Sequence, residues 1–271
     1  MMRPASLCLG LALIAAGARA GETECWFENG ALVVPAAFGD IAGDFILDIS
    51  APGSQLHVTR ALSAGIDAGR ARSVLILAGE RVDGFGMEVG DLDTRSRGFP
   101  TNITGVLGAD ALAPFVADID FTPCRIRLRR GVPAARVRGV RLRVERVARI
   151  PAVEAAISDG ATSRGGLFAI DTASAGMRIA AAALSRDPAS GIDPAARQSA
   201  PARLRALSLA GRLFEQTPAG PWPDAPAALE GAIGATVWSR LHLRLDLKHG
   251  WLWLSSAPGA PDRRQRRRPA H

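Results

Sequence analysis

The chain is 271 residues long, enough for one large domain or two domains of ordinary size, and its formal net charge is +7. Five of the positive charges are arginines within the last nine residues, so the remainder of the chain is close to neutral. Binding to nucleic acid needs basic residues spread over a folded face, so this charge distribution argues against a nucleic-acid partner.

The first twenty residues have the features of a secretory signal peptide. Arg3 precedes a short apolar stretch from Leu7 to Ala16, and Ala18-Arg19-Ala20 is a cleavage site of the A-x-A type. A membrane anchor is the alternative, but a helix needs about twenty apolar residues to cross a bilayer. We therefore expect an exported protein, periplasmic or secreted. After removal of residues 1–20 we expect it to be monomeric and without stable membrane insertion.

Two cysteines remain after the signal peptide, which carries Cys8, has been removed. These are Cys25 and Cys124. Export places them in an oxidising compartment, where disulfides form and persist. Two buried free thiols are the alternative. We predict a Cys25–Cys124 disulfide that ties the first strand of the exported chain to the closing hairpin of its first half.

The chain contains an internal repeat. An apolar run precedes Asp48 and small residues follow it, and the same pattern surrounds Asp171. Farther along, Gly105–Asp110 recurs as Gly231–Thr236. The offset is 123 residues between the aspartates and 126 between the first glycines. Features that recur in one order at nearly one offset indicate a duplicated structural unit.

This repeat divides the chain into lobes at residues 21–142 and 143–258, followed by a basic, disordered tail at 259–271. Within each lobe, short runs alternate apolar with polar residues, and Gly and Pro recur about every ten residues. The pattern predicts a mainly β fold with a few short helices. Helices are expected near residues 59–64, 110–115, 176–184 and 236–241.

The repeated motifs resemble those of the retropepsin-like and pepsin-like aspartic protease superfamily. The signature there is an apolar run, then Asp-Thr/Ser-Gly, then some sixty residues later two apolar residues and a glycine. Here Asp48 precedes Gly108 by 60 residues, and Asp171 precedes Gly234 by 63. The similarity is greatest to bacterial proteins with two retropepsin-type lobes in one chain. It implies the acid-protease fold, with two homologous small β-barrel-like lobes related by pseudo-twofold symmetry.

The resemblance also implies a function. In this superfamily two aspartates, here Asp48 and Asp171, share a proton and activate a water molecule that hydrolyses a polypeptide. No cofactor and no metal are implied. The residues expected to support the two aspartates are Ser50, Thr172, Ala173, Gly108 and Gly234. A hairpin that covers the cleft, the flap, is expected around Leu77 to Arg81, with Ala78, Gly79 and Glu80 at its tip.

The first motif departs from the family pattern. The hydroxyl that normally follows each aspartate bonds to the opposite lobe, and Ile49 has none, so this support can come from one lobe at most. Two hypotheses follow. The chain is an exported aspartic endopeptidase, or it is a catalytically impaired module of the same fold that binds peptides or a partner protein. Retention of both aspartates favours the first hypothesis, and Ile49 favours the second.

Overall fold

The computed structural model describes residues 21–131, 139–160, 163–180 and 202–257. The predicted signal peptide at 1–20 and the basic tail at 259–271 lie outside the described residues.

The described residues form twenty strands and four short helices. In the first half the strands are β1 (Glu22–Glu24), β2 (Trp26–Glu28), β3 (Ala31–Phe38), β4 (Ile41–Leu47), β5 (Gln55–His57), β6 (Arg70–Leu77), β7 (Glu80–Gly90), β8 (Ile103–Leu107), β9 (Val116–Phe121) and β10 (Cys124–Arg129). In the second half they are β11 (Val140–Arg143), β12 (Glu145–Val147), β13 (Ile150–Ser158), β14 (Ser163–Ile170), β15 (Met177–Ala180), β16 (Ala202–Leu209), β17 (Arg212–Trp222), β18 (Gly231–Ile233), β19 (Leu241–Asp246) and β20 (Trp251–Ser256). The helices are α1 (Val58–Ser63), α2 (Asp93–Ser96), α3 (Ala109–Leu112) and α4 (Ala235–Trp238).

Each lobe is a six-stranded barrel with one added strand. In the first lobe the order is β3-β4-β8-β5-β7-β6, and pairing of β6 with β3 closes the barrel while β2 extends it at β3. The second lobe repeats this as β13-β14-β18-β15-β17-β16, with closure by β13 and β16 and extension by β12. The mainly β fold with two barrel-like lobes is therefore confirmed.

A third sheet joins the lobes. Its order is β1-β10-β9-β19-β20-β11, and the central pairing of β9 with β19 connects a first-lobe strand to a second-lobe strand. One face is apolar and belongs to the main core, including Ile119, Ile126, Leu243 and Leu252. The boundary predicted between residues 142 and 143 falls inside β11, which pairs with β20 in this sheet.

The predicted disulfide is confirmed. Cys25 and Cys124 are bonded, with their Cα atoms 5.0 Å apart and 99 residues between them in sequence. The bond fastens the segment between β1 and β2 to the start of β10, so it links the first barrel to the interlobe sheet. Across the residues described, the helices are all short, and none has the length and apolar character needed to span a membrane.

One of the expected helices is a strand. Residues 177–180 form β15, which pairs in parallel with β17 and antiparallel with β18. Met177 and Ile179 are buried while Arg178 between them is half-buried, which is the two-residue period of a strand. The strand occupies the position that β5 has in the first lobe, and barrel closure therefore outweighs local helix propensity. Residues 181–184 lie outside the described residues.

Buried charges occupy the polar face of the interlobe sheet. Asp118 and Asp120 on β9 are 2 % and 5 % exposed. His242 on β19 places Nε2 3.3 Å from Asp118 and Nδ1 2.6 Å from Asp120, so both ring nitrogens face a carboxylate. Only the imidazolium can donate from both nitrogens at once. Asp120 and Asp246 are both buried as well, because arginine and histidine side chains cover them.

These contacts shift two pKa values in opposite directions. The hydrogen bond to Asp118 raises the pKa of His242 above 6.5, against the opposing effect of burial. Burial by itself would raise the pKa of Asp118. Hydrogen bonds from His242 and Arg244, together with the charges of Arg244 and Arg129, outweigh burial and hold this pKa below 3.8. The charged pair therefore links the two lobes across the β9–β19 pairing.

We predict that His242 makes the fold's stability depend on pH. A raised histidine pKa contributes stability in full below about 6.5 and loses it as pH rises through the folded-state value. The lowered pKa of Asp118 keeps the partner charged until pH falls below 3.8. The thermal midpoint of His242→Gln should therefore lie furthest below that of the wild-type protein between about pH 4 and 6.5. The difference between the two midpoints should be smaller at higher pH. A difference between the two proteins that does not change from pH 5 to 9 would contradict this prediction.

Candidate active site

The two aspartates follow corresponding strands of the two barrels. Asp48 comes directly after β4, and its backbone N–H donates to Leu107 O of β8 at 2.9 Å. Asp171 comes directly after β14, and its N–H donates to Ile233 O of β18 at 3.0 Å. In both lobes the neighbouring strand runs parallel to the aspartate-bearing one. The duplication in sequence is therefore a duplication of backbone geometry.

The repeated glycines permit a close backbone approach at each aspartate loop. A Cβ atom on Gly108 would lie 2.6 Å from Ala51 O and 2.8 Å from Gly53 O. At Gly234 it would overlap Gly176 O. The two glycines directly precede α3 and α4. The first residue of each helix donates a hydrogen bond to the aspartate loop of its own lobe, Ala109 N to Ala51 O and Ala235 N to Ser174 O, both at 2.8 Å.

Backbone amides hold one oxygen of each carboxylate. Ser50 N donates to Asp48 Oδ1 at 2.9 Å, and Ala173 N donates to Asp171 Oδ1 at 2.9 Å. The Ser50 hydroxyl adds a bond to Asp48 Oδ1 at 2.6 Å. The two carboxylates are thus oriented in equivalent ways, by the backbone N–H groups of Ser50 and Ala173.

Support between the lobes comes from one side. Thr172 Oγ1 accepts a hydrogen bond from Ile49 N at 3.0 Å and donates one to Leu47 O at 2.6 Å. Both bonds cross from the second lobe to the first, directly beside Asp48. The side chain of Ile49 is fully buried in the main hydrophobic core. Position 49 therefore contributes packing, whereas the corresponding Thr172 contributes hydrogen bonds.

Each carboxylate also has an arginine partner. Arg178 on β15 places Nε 2.8 Å and a terminal nitrogen 2.7 Å from Asp171 Oδ2, and its guanidinium lies 4.3 Å from the centre of the Trp222 ring. Arg95 on α2 donates to Asp48 Oδ2 at 2.5 Å. Both arginine side chains are about one-third exposed, whereas the carboxylates beneath them are almost completely buried.

A short chain of contacts connects the two aspartates. The terminal nitrogen of Arg178 that contacts Asp171 also lies 3.4 Å from the Ser50 hydroxyl, which is bonded to Asp48. Burial raises the pKa of Asp171, and the negative charge of Asp48 raises it further, while Arg178 acts in the opposite direction. The two carboxyl groups are therefore close enough to affect each other's ionisation.

A small polar cluster anchors the helix that carries Arg95. His57 Nε2 lies 3.1 Å from Asp93 Oδ1, and Asp91 Oδ1 accepts from Asp93 N at 2.8 Å. These contacts fix the start of α2 against β5. Among the described residues, His57, Asp91 and Asp93 are also the group whose ligand atoms lie close enough together, within 4.8 Å, to hold a metal ion.

A cleft of about 690 Å³ opens over the aspartates and is lined by both lobes. Asp48, Ser50 and Arg95 line it from the first lobe, and Ala173 and Arg178 from the second. Its volume is in the range of clefts that bind ligands. Asp171 lies beneath Arg178, with its side chain 1 % exposed.

The expected flap residues lie elsewhere. Ala78 and Gly79 form the turn between β6 and β7, where Ala78 is buried and accepts a hydrogen bond from Gly21 N at 2.8 Å. Glu80 pairs with Arg130 at 3.1 Å. None of the three lines the cleft. This hairpin tip packs against the first described residues and the interlobe sheet, so the part of the first lobe that reaches over Asp48 is α2 with Arg95.

Arg95 and Arg178 are site residues that the sequence analysis did not identify. The repeat could have pointed to Arg178, because this residue lies seven positions after Asp171, just as Gln55 lies seven positions after Asp48. The two residues occupy matching positions on β15 and β5, next to β18 and β8. Arg95 stands in a loop that has no counterpart in the repeat, and no sequence pattern marked it.

We predict that Gly108→Ala destabilises the fold by about 1–3 kcal/mol, because the new methyl group overlaps backbone atoms that cannot move independently. Gly90→Ala is the matched control, since a Cβ atom there meets nothing within 4 Å. Alanine at that strand position should be neutral or stabilise by about 0.5–1 kcal/mol. Urea denaturation of the three proteins measures the difference. Equal free energies of unfolding for the two variants would show that the approach at Gly108 is not tight.

Comparison with known proteins agrees with this architecture. No protein-family model matches the chain, and no curated protein matches it in sequence. Among solved structures, it is similar to the aspartic proteinase from Irpex lacteus, with a TM-score of 0.56 and 14 % sequence identity over 90 % of this chain and 99 % of that chain. That likeness, to a pepsin-like proteinase, supports the acid-protease fold, while the retropepsin-type character of the lobes stays a prediction. The chain therefore has the fold of an aspartic proteinase.

Proposed function

We propose that the protein is an aspartic-type endopeptidase that hydrolyses a polypeptide laid in the cleft between its lobes. The observation that carries the proposal is the paired placement of Asp48 and Asp171 at equivalent strand ends, each carboxylate oriented by the backbone N–H two residues on. The mutual effect of their charges supports it further. Two carboxyl groups buried near each other are costly, and ionisable groups perturbed in this way are often found at functional sites.

In this proposal the two carboxyl groups act as one acid–base unit. One carboxylate removes a proton from a water molecule whose oxygen attacks the peptide carbonyl carbon. The other carboxyl donates its proton to the carbonyl oxygen, which gives a tetrahedral diol. The C–N bond then breaks as the first carboxyl passes the proton taken from water to the leaving amine, and the second carboxyl recovers a proton from a hydroxyl of the diol. The raised pKa of Asp171 favours its protonated form, which suits the role of proton donor, although the pair titrates as a unit.

The arginines set a condition on this reaction. With Arg95 on Asp48 and Arg178 on Asp171, one oxygen of each carboxyl group is engaged by a guanidinium. Productive binding therefore requires at least one guanidinium to leave its carboxylate. Both guanidiniums are about one-third exposed and sit at the cleft surface, where a bound chain can displace them.

We also propose that the protein is exported, to the periplasm or outside the cell. The Cys25–Cys124 disulfide supports this location, because such bonds persist in oxidising compartments and are rare in the cytosol. The signal-peptide features of residues 1–20 support it independently.

We predict that Asp48→Asn and Asp171→Asn each lower the rate of cleavage by about 10²–10⁴-fold, because either change removes a member of the acid–base pair. The double variant should lose little more, since residues that act as one unit cannot be removed twice. Residues 21–271 would be incubated with a diverse peptide library from pH 3 to 8, and products identified by mass spectrometry. Asp83→Asn, an exposed hairpin residue paired with Arg81, is the matched control and should cleave normally.

Two results would contradict the proposal. Cleavage that persists in both single variants would mean that the aspartates are not the acid–base pair. Absence of cleavage by the wild-type protein at every pH, together with measurable peptide binding, would instead favour a binding module of the same fold.

A further inference from the structure

The cleft carries positive charge that its own carboxylates do not neutralise. Its lining includes five arginines, of which Arg70 pairs with Glu88, and Arg95 and Arg178 pair with the two aspartates. The remaining two, Arg97 and Arg149, are exposed and have no carboxylate partner among the residues described. Asp110, the other acidic residue of the lining, accepts hydrogen bonds from Ser54 and from Ala111 N. The two unpaired guanidiniums come from opposite lobes.

Arg149 occupies a backbone position that favours glycine. Within the described part of the chain, four hairpins close with two residues that both have positive φ, the arrangement of a type I′ turn. The second of these residues is glycine in three of the turns, at Gly30, Gly79 and Gly211. In the fourth it is Arg149, with φ +67°.

An arginine at this position works against local conformational preference. Side chains rarely adopt positive φ, and strained residues of this kind concentrate at functional sites. The corresponding turn of the first lobe, at Asn29 and Gly30, packs so closely on Ala175 that a side chain would overlap it. The turn at Arg149 instead presents a guanidinium to the cleft.

We propose that the cleft selects acidic polypeptides, with Arg97 and Arg149 binding Asp or Glu side chains on either side of the cleaved bond. The proposal rests on the endopeptidase function above and specifies its substrate class. Arg97 lines the cleft from the first lobe and Arg149 from the second, so a chain bound in the cleft has a guanidinium available from each lobe. Carboxylates suit these partners because a guanidinium forms short, charge-assisted hydrogen bonds to them.

The test measures binding separately from cleavage. Two fluorescein-labelled decapeptides would be compared by anisotropy at low temperature, one with glutamates on both sides of a central apolar pair and the other with glutamines at the same positions. Mass spectrometry would verify that each peptide stays intact. We expect the wild-type protein to bind the Glu peptide about tenfold more tightly than the Gln peptide at low salt, and this ratio to fall as salt is added.

The variants identify the arginines responsible. Arg149→Gly should reduce the Glu-to-Gln affinity ratio several-fold while the thermal midpoint stays equal or rises, because glycine fits the turn better. That combination separates a ligand-binding role from a structural one. Arg97→Gln should reduce the ratio by a similar factor. Arg240→Gln, which removes an exposed arginine outside the cleft, is the matched control and should leave the ratio unchanged.

The outcomes distinguish this inference from the function on which it rests. A Glu preference that depends on Arg149, without any cleavage, would support the acidic ligand class and overturn the endopeptidase. Cleavage without a Glu preference, or a preference that Arg240→Gln reduces as much as Arg149→Gly does, would overturn the inference and leave the endopeptidase standing.

Discussion

Two carboxylates buried near each other are the constraint on which the rest of the site depends. Removing a charge from water is costly, and a like charge close by adds to that cost. The structure compensates with the amides of Ser50 and Ala173, and with the guanidiniums of Arg95 and Arg178. For Asp171 the compensation is incomplete, because burial and the charge of Asp48 still raise its pKa. A carboxyl group with a raised pKa can hold a proton and pass it on, which is what acid–base chemistry requires.

The backbone of the site is symmetric, whereas its side chains are not. Strand order, the parallel neighbour of each aspartate strand and the glycine before each helix are the same in both lobes. By contrast, Ile49 corresponds to Thr172, and Gln55 corresponds to Arg178. The two carboxyl groups therefore sit in different environments, one held by an arginine on a loop helix and the other by an arginine on a barrel strand. This asymmetry accompanies the raised pKa of Asp171.

The sequence predicted what depends on repetition and short-range pattern. The duplicated motifs predicted the two-lobed fold, both aspartates, and Gly108 and Gly234. The glycines could be predicted because a close backbone approach requires glycine at the same position of each repeat. The Cys25–Cys124 bond followed from the compartment and from the number of cysteines. Thr172 was expected to brace the opposite lobe, and its bonds to Ile49 N and Leu47 O lie where that expectation put them.

Other features depend on tertiary contacts that no local pattern encodes. Asp120 is buried because Arg127 and His242 from the two neighbouring strands cover it. The tip at Ala78 has the composition of a flap, but packing against Gly21 directs it away from the cleft. Arg95 reaches Asp48 from a loop 47 residues away in sequence, and only the folded chain brings the two together.

The central claim is that Asp48 and Asp171 form one acid–base unit once a peptide displaces an arginine. The most direct measurement is a crystal structure with an acidic peptide isostere in which a hydroxyl-bearing carbon replaces the cleaved amide. The account predicts that this hydroxyl lies within about 3 Å of both carboxyl groups. It also predicts that Arg178 or Arg95 has moved off its aspartate. An isostere bound in the cleft with both arginine pairs intact, and its hydroxyl in contact with neither carboxyl, would contradict the account.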